Sequence, residues 1–292
     1  MYVCDAALWC AVATYCLITS VSKNELSYLL VVGFAESKLG LIAHEACHLA
    51  CPGFLSCLYD CALGSRLQWI HKHNKNHHIF TNTMQDPDID ASPLLRIHPL
   101  QPRYWFHRFQ FLYQYPLFCV VPVGLRINGM IFLHKNGSFV DLVLHYVLAA
   151  PATYLYLIRP LQLYGLSGLK FFLLSNAVLG LIYGCLFSVS HVNTMVTFDP
   201  VGSVDARQMS TTADWCAGSR LANYLTGGLN HQVIHHLYPH VPSYALPTLA
   251  EELIRQRGSK KEKMYLRMGD GFLGLPLALW SNAMYLKRMG EA

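Results

Sequence analysis

"GLKFFLLSNAVLGLIYGCLFSV", residues Gly168–Val189, decides the class of fold. Its one charge is Lys170, near the start, and the rest is apolar or small. About 20 predominantly apolar residues are enough for a helix to cross a bilayer, so this run reads as a membrane span. Working outward, "SFVDLVLHYVLAAPATYLYLI" (Ser138–Ile158) is a second clear run, and "RPLQLYGLS" joins the two as a short loop. Near the N-terminus, "VCDAALWCAVATYCLITSV" (Val3–Val21) also qualifies, with Asp5 close to its end. "LSYLLVVGFAESKLGLIA" (Leu26–Ala43) is weaker because Glu36 and Lys38 interrupt it, yet it leads directly into His44. Four residues separate these runs, which fits a tight helical hairpin.

Composition agrees. Charged residues make up 13% and apolar residues 53% of the 292. A soluble domain averages about 25% charged residues, so much of this surface faces lipid. A fifth stretch, "FQFLYQYPLFCVVPVGL" (Phe109–Leu125), contains Pro116 and Pro122 with Gln110, Gln114 and Arg126 on it or beside it. Proline in a helix interior removes a hydrogen bond and kinks the chain, so the stretch reads as interfacial or re-entrant. Phe54–Leu63 is too short to span. The expected architecture is therefore an all-α integral membrane protein, with four transmembrane helices in two hairpins and a large helical cap on one face. Nearly all of the 22 Lys and Arg residues fall on the cap side, leaving Lys23, Arg159 and Lys170 at the other. The positive-inside rule makes the cap cytosolic. No linker, repeat or low-complexity segment marks a second domain, so residues 1–292 read as one.

The net charge of +5 is modest, and no basic run interleaved with aromatics points to nucleic acid. The basic cluster Arg255–Lys263 suits an anionic membrane surface or a solvated helix face. Ten cysteines are present without a C-x2-C pair, which supports neither a zinc ribbon nor a disulfide framework.

Fifteen histidines are present, and ten lie in three short stretches. "AHEACHLA" (residues 43–50) carries His44 and His48, "HKHNKNHH" carries His71, His73, His77 and His78, and "HQVIHHLYPH" carries His231, His235, His236 and His240. His-Glu-x-x-His taken alone is the zinc pattern of metalloproteases, with Glu45 as general base. A zinc protease needs only three protein ligands, however, and this chain supplies at least seven well-spaced histidines. On an α-helix His73 and His77 share a face while His78 is turned by about 100°, so one helix can serve two metal ions. Imidazole suits zinc, copper, iron and nickel, so spacing gives ligand type and nuclearity but not the element. The isolated histidines, His98, His107, His134 and His145, read as hydrogen-bonded structural residues.

The three stretches resemble, in order, the histidine boxes of the membrane fatty acid desaturase family, whose members are di-iron enzymes. "HEACH", "HKHNKNHHIFTNT" with the trailing "DPDID", and "GGLNHQVIHHLYPHVP" carry the likeness, which covers about residues 26–257. Gln232 in the third box and the preceding "GGLN" are similar to the front-end branch, a pattern shared with sphingoid-base desaturases. The resemblance implies His44, His48, His73, His77, His78, His191, His235 and His236 as ligands of two iron ions. Gln232 and His231 could bind metal or support it, and Glu45, Asp86, Asp88 and Asp90 could orient the imidazoles. It further implies O2 as co-substrate, a separate cytochrome b5 with its reductase as electron donors, and insertion of a cis double bond into a lipid acyl chain. The expected setting is the endoplasmic reticulum membrane, with the site facing the cytosol. No His-Pro-Gly-Gly haem motif is present, so no fused cytochrome b5 domain is expected. Trp69, Trp105 and the Arg103–Pro116 segment are candidates to line the acyl channel or to anchor at the interface. A membrane hydroxylase uses similar boxes; an intramembrane zinc protease and a metal transporter are the alternatives of other classes.

Overall fold

The computed structural model describes residues 1–257 and 265–292, so most of the basic run Arg255–Lys263 lies outside the described residues. The chain forms two compact units, each from two separated pieces: residues 1–70 with 116–184, and residues 71–115 with 185–292.

The first unit opens with a hairpin of helices, Tyr2–Lys23 and Tyr28–Cys47. Asn24 adopts a left-handed conformation (φ 52) at the turn, and its N–H reaches the carbonyls of Ser20 and Val21. Leu17 and Val21 pack with Leu29 and Val32 near the turn; Ala6 packs with Leu39, Ile42 and Ala46 further along. The Phe54–Leu63 region forms two short helices, a 3-10 turn at Gly53–Ser56 and the α-helix Cys57–Ala62.

The stretch read as kinked by its prolines, and so interfacial or re-entrant, lies in one unbroken helix. Gln110–Asn136 is one helix with Pro116 and Pro122 inside it. Pro122 has no N–H for the Phe118 carbonyl four residues back. That carbonyl lies against Gly180 of the Leu169–His191 helix, where an added Cβ would sit 2.2 Å from the oxygen. A neighbouring backbone thus packs at the defect, which is one way helices accommodate proline in an apolar setting. The loop expected at 159–167 is shorter than predicted. Helix continues from Phe139 through a π-wound segment, Tyr154–Ile158, to Tyr164, and the chain turns at Gly165 (φ 58) into Gly165–Gly168.

Among the described residues, three helical stretches are long and apolar enough to cross a membrane: Tyr2–Lys23, Trp105–Asn136 and Phe139–His191, the last folded at Gly165. Tyr28–Cys47 is not among them, because Glu36, Lys38 and Glu45 lower its apolarity; all three are buried.

The second unit is mostly helical, but not wholly as the all-α expectation had it. Asp214–Ala217 pairs in parallel with Arg267–Asp270, in the register Asp214 to Arg267 and Trp215 to Met268. Trp215 sits in a core with Val189, Val196, Ala213 and Met268, its indole N–H donating to Ser190 Oγ at 3.0 Å. The C-terminal helix Gly274–Glu291 is tied by its last carbonyls. Arg96 donates to Met289 O, Arg103 to Gly290 O and Gln110 to Leu286 O. The isolated histidines are hydrogen-bonded: His107 to Pro93 O, His134 to Met130 O, His145 to Asp60, and His98 from the Leu100 N–H.

Candidate metal centre

His44 and His48 stand at the end of the Tyr28–Cys47 helix, which stops at Cys47 so that His48 is its cap. Both are buried, with ring centroids 4.8 Å apart and planes crossing at 80°. Trp69, also buried, stacks on Tyr59 and meets His44 edge-on. Glu45 points elsewhere: its carboxylate accepts the Tyr2 hydroxyl of the first helix. Trp105, by contrast, is exposed.

The second box is wound differently from the expectation. Ile70–His77 is a π-helix rather than an α-helix. Hydrogen bonding from i to i+5 brings residues five apart into near alignment, and such windings concentrate at functional sites. His73 consequently faces both members of the pair that follows. Its ring lies 5.0 Å from that of His77, nearly parallel, and its Nε2 lies 3.3 Å from Nε2 of His78. His71 is exposed and stays outside the cluster.

His191 ends the long helix and meets His77 and His236, each at a ring separation of 4.7 Å. His78 stacks on His236 at 4.2 Å and lies 5.0 Å from His235. In the third box the helix runs Gln232–Leu237, so Gln232 and His236 share a face, and the Gln232 amide lies 2.9 Å from His191 Nε2. His231 precedes this helix and pairs instead with Asp214. His240 is exposed. Among the described residues, His77, His191 and His236 offer ligand atoms within 4.8 Å of one another, as do His73, His77 and Asp88.

The carboxylates hold the rings. His73 Nδ1 donates to Asp88 at 2.5 Å, and His77 Nδ1 lies 2.9 Å from each oxygen of Asp86. Asp90 is exposed and caps Ser92 instead. Three further residues were not legible in the histidine spacing. Gln208 accepts from His236 Nδ1 at 2.9 Å and donates to His78 O. Asn82 donates to His191 O, and its own N–H is held by Asp86. Asp214 accepts the Val233 N–H and faces His231. Gln208 and Asp214 lie in no motif; Asn82, inside "HIFTNT", was the one within reach.

Burial holds His236 well below the usual histidine range, and the positive forms of His191, His77 and His235 beside it push the same way. Burial lowers His73 too, against the pull of Asp88. For His77 burial acts downward, but Asp86 and Asp88 outweigh it and the net shift is upward. The carboxylates thus favour positive charge at His77, while burial favours the neutral forms of His73 and His236.

A family model described as fatty acid desaturase matches residues 26–267. The chain belongs to the fatty acid desaturase family. Among its desaturase relatives, Delta(5) fatty acid desaturase A of Dictyostelium discoideum is 29% identical, over 85% of this chain and 59% of its own length. The sn-1 linoleoyl-lipid 6-desaturase of Arthrospira platensis is 28% identical, over 89% and 76%. Acyl-lipid (8-3)-desaturase B of Dictyostelium discoideum is 30% identical, over 76% and 56%. The chain thus spans under two thirds of the length of the two Dictyostelium desaturases.

The residues of this chain fit a metal. With Nδ1 of His77 and His236 engaged by Asp86 and Gln208, their Nε2 atoms are buried and make no hydrogen bond among the described residues. A ring that donates through one nitrogen and turns a bare lone pair inward from the other is a metal ligand's posture. Among the described residues the donor set is imidazole and carboxylate, with no thiolate in it.

Proposed function

We propose that the chain is a membrane acyl-lipid desaturase of front-end type, inserting a cis double bond into an acyl chain with O2 as co-substrate. The observation that carries this reading is the buried cluster of His77, His191 and His236, its rings oriented by Asp86 and Gln208, in a chain of the desaturase family. The ligand set is His44, His48, His73, His77, His78, His191, His235 and His236, holding two iron ions. When bound, the irons would supply the oxidising power that removal of hydrogen from an unactivated methylene demands. The protein fixes the imidazoles in place, keeps the site dry, and presents one pair of acyl carbons to it. Electrons come from a separate cytochrome b5 and its reductase. The front-end assignment draws on Gln232 and on the relatives' names.

Parity supports a four-span reading. His77 and His191 are neighbours, yet three helical runs, Gln110–Asn136, Phe139–Tyr164 and Leu169–His191, separate them in sequence. Neighbours on one membrane face require an even number of crossings between them. We assign the crossings to the pair joined by the tight turn at Gly165, with Gln110–Asn136 along the interface. With Tyr2–Lys23, and with Tyr28–Cys47 counted as a crossing because its charged Glu36, Lys38 and Glu45 are buried, we assign four spans and a site facing the cytosol from the endoplasmic reticulum membrane.

The test is expression in a desaturase-deficient yeast that has its own cytochrome b5, with polyunsaturated precursors fed. Lipids are profiled by mass spectrometry, and iron and zinc are counted per purified chain. About two irons and a new double bond, both lost in His77→Ala, are expected. A hydroxylated product would move the reading to a hydroxylase. One zinc and unchanged lipids would end it.

A further inference from the structure

The third box contains two overlapping pairs at helical spacing, His231 with His235 and Gln232 with His236. Only one pair can face His191, and which one depends on where the helix begins. It begins at Gln232, while His231 closes a preceding 3-10 turn with φ −108 and ψ 53.

Asp214 stands where that choice is made. It is fully buried at the start of the strand Asp214–Ala217. Its Oδ1 accepts the Val233 N–H at 2.8 Å, from the first turn of the helix. Its Oδ2 accepts the Tyr265 hydroxyl at 2.6 Å and lies 3.3 Å from His231 Nδ1. The His231 ring lines a cavity of about 30 Å³ together with Asp214, Tyr265, Glu251 and Arg267; His77, His191, His235 and His236 do not line it. Both ring nitrogens of His231 are buried and make no hydrogen bond among the described residues, so the 3.3 Å charge contact of Nδ1 with Asp214 is what faces the ring. An imidazole with an unengaged ring nitrogen, one residue from Gln232, is a competing ligand unless something restrains it.

We infer, on the desaturase reading above, that Asp214 is a positioning residue for the third histidine box: it starts the helix at Gln232 and keeps His231 out of the metal set. Tyr265 and the strand pairing hold Asp214 in place for that task. In Asp214→Asn the amide oxygen still accepts one N–H, but the negative charge that His231 faces is lost. His231 is then released to compete, and the geometry around His191 and His236 is disturbed.

The test compares wild type, Asp214→Asn, His231→Asn and the double variant, as full-length protein in detergent. Cobalt(II) replaces iron as the probe, read by its visible spectrum and by competition with a chelator. Asp214→Asn is expected to shift the cobalt spectrum and weaken binding by roughly tenfold or more, the range for loss of a group that orients a ligand. Adding His231→Asn should return the spectrum and most of the affinity. An Asp214→Asn protein with wild-type spectrum and affinity would overturn the inference, as would a loss that His231→Asn fails to rescue. Should Asp214→Asn not fold, Tyr265→Phe with and without His231→Asn is read in the same way. Failure of the underlying reading is distinct: wild type itself would bind no cobalt.

Discussion

Asp86 and His77 are joined twice, with Nδ1 of the histidine 2.9 Å from each carboxylate oxygen. The same oxygens accept the backbone N–H groups of Asp88 and Asn82, each at 2.9 Å. The carboxylate is therefore surrounded by donors, and the loop after the second box is folded around it. This arrangement fixes the tautomer of His77 and points Nε2 into the cluster.

Asp86→Asn should weaken metal binding by about 10–100-fold, since an amide cannot accept from all three donors. Chelator competition with purified protein measures it. Unchanged affinity would show that His77 needs no carboxylate to hold its place.

Acid should destabilise the metal-free protein. His236 and His73 have lowered pKa values when folded, while an unfolded histidine titrates near about 6.5. Below that value the unfolded chain binds protons that the folded chain refuses, so stability present above it is lost as pH falls toward the folded values. His77, shifted upward, acts oppositely: its contribution is present below about 6.5 and is lost as pH rises through its folded pKa. With His236 held well below the ordinary value and His73 lowered as well, the downward shifts are expected to prevail, giving a lower melting temperature at pH 5.5 than at pH 7.5. A higher one would show that His77 outweighs His236 and His73 together.

Gly180→Ala should cost about 1–3 kcal/mol, because its Cβ would meet the Phe118 carbonyl oxygen at 2.2 Å and Pro122 Cδ at 2.6 Å. Gly124→Ala is the control. Nothing lies within 4 Å of its Cβ, and alanine there should gain about 0.5–1 kcal/mol in a helix interior. Thermal melts in detergent compare the two, and equal effects would remove the close packing at Pro122 from the account.

Arg96→Ala should loosen the C-terminal helix. It deletes donors to Met289 O at 2.6 Å, Gln101 O at 2.9 Å and Pro99 O at 2.9 Å. Hydrogen bonds from a charged group contribute about 1.5–3 kcal/mol each, so amide exchange across Gly274–Glu291 should rise clearly. Arg96→Lys should not restore protection, since a point charge cannot reach three diverging carbonyls. Protection equal to wild type in either variant would show that the other ties suffice.

Composition and local spacing alone marked this chain as a membrane protein and gathered ten of its histidines into three short stretches. Apolar runs of the right length and His at helical intervals are properties of neighbouring residues, which a sequence displays directly. The winding of the second box was not legible. Whether His73 faces His77 alone or also His78 depends on π rather than α hydrogen bonding, and that choice belongs to the folded environment. The same holds for the prolines of Gln110–Asn136, which read as kinks until Gly180 is seen packed against the freed carbonyl. Among the three aspartates of "DPDID", spacing treated Asp86, Asp88 and Asp90 alike, and only the loop geometry separated the two that hold rings from the one that faces water. Gln208 and Asp214 lie far in sequence from the rings they serve, so no local pattern could name them. Residue type and interval settle what a side chain can do; the long-range packing of backbone and carboxylates settles which of the eligible side chains is in position to do it.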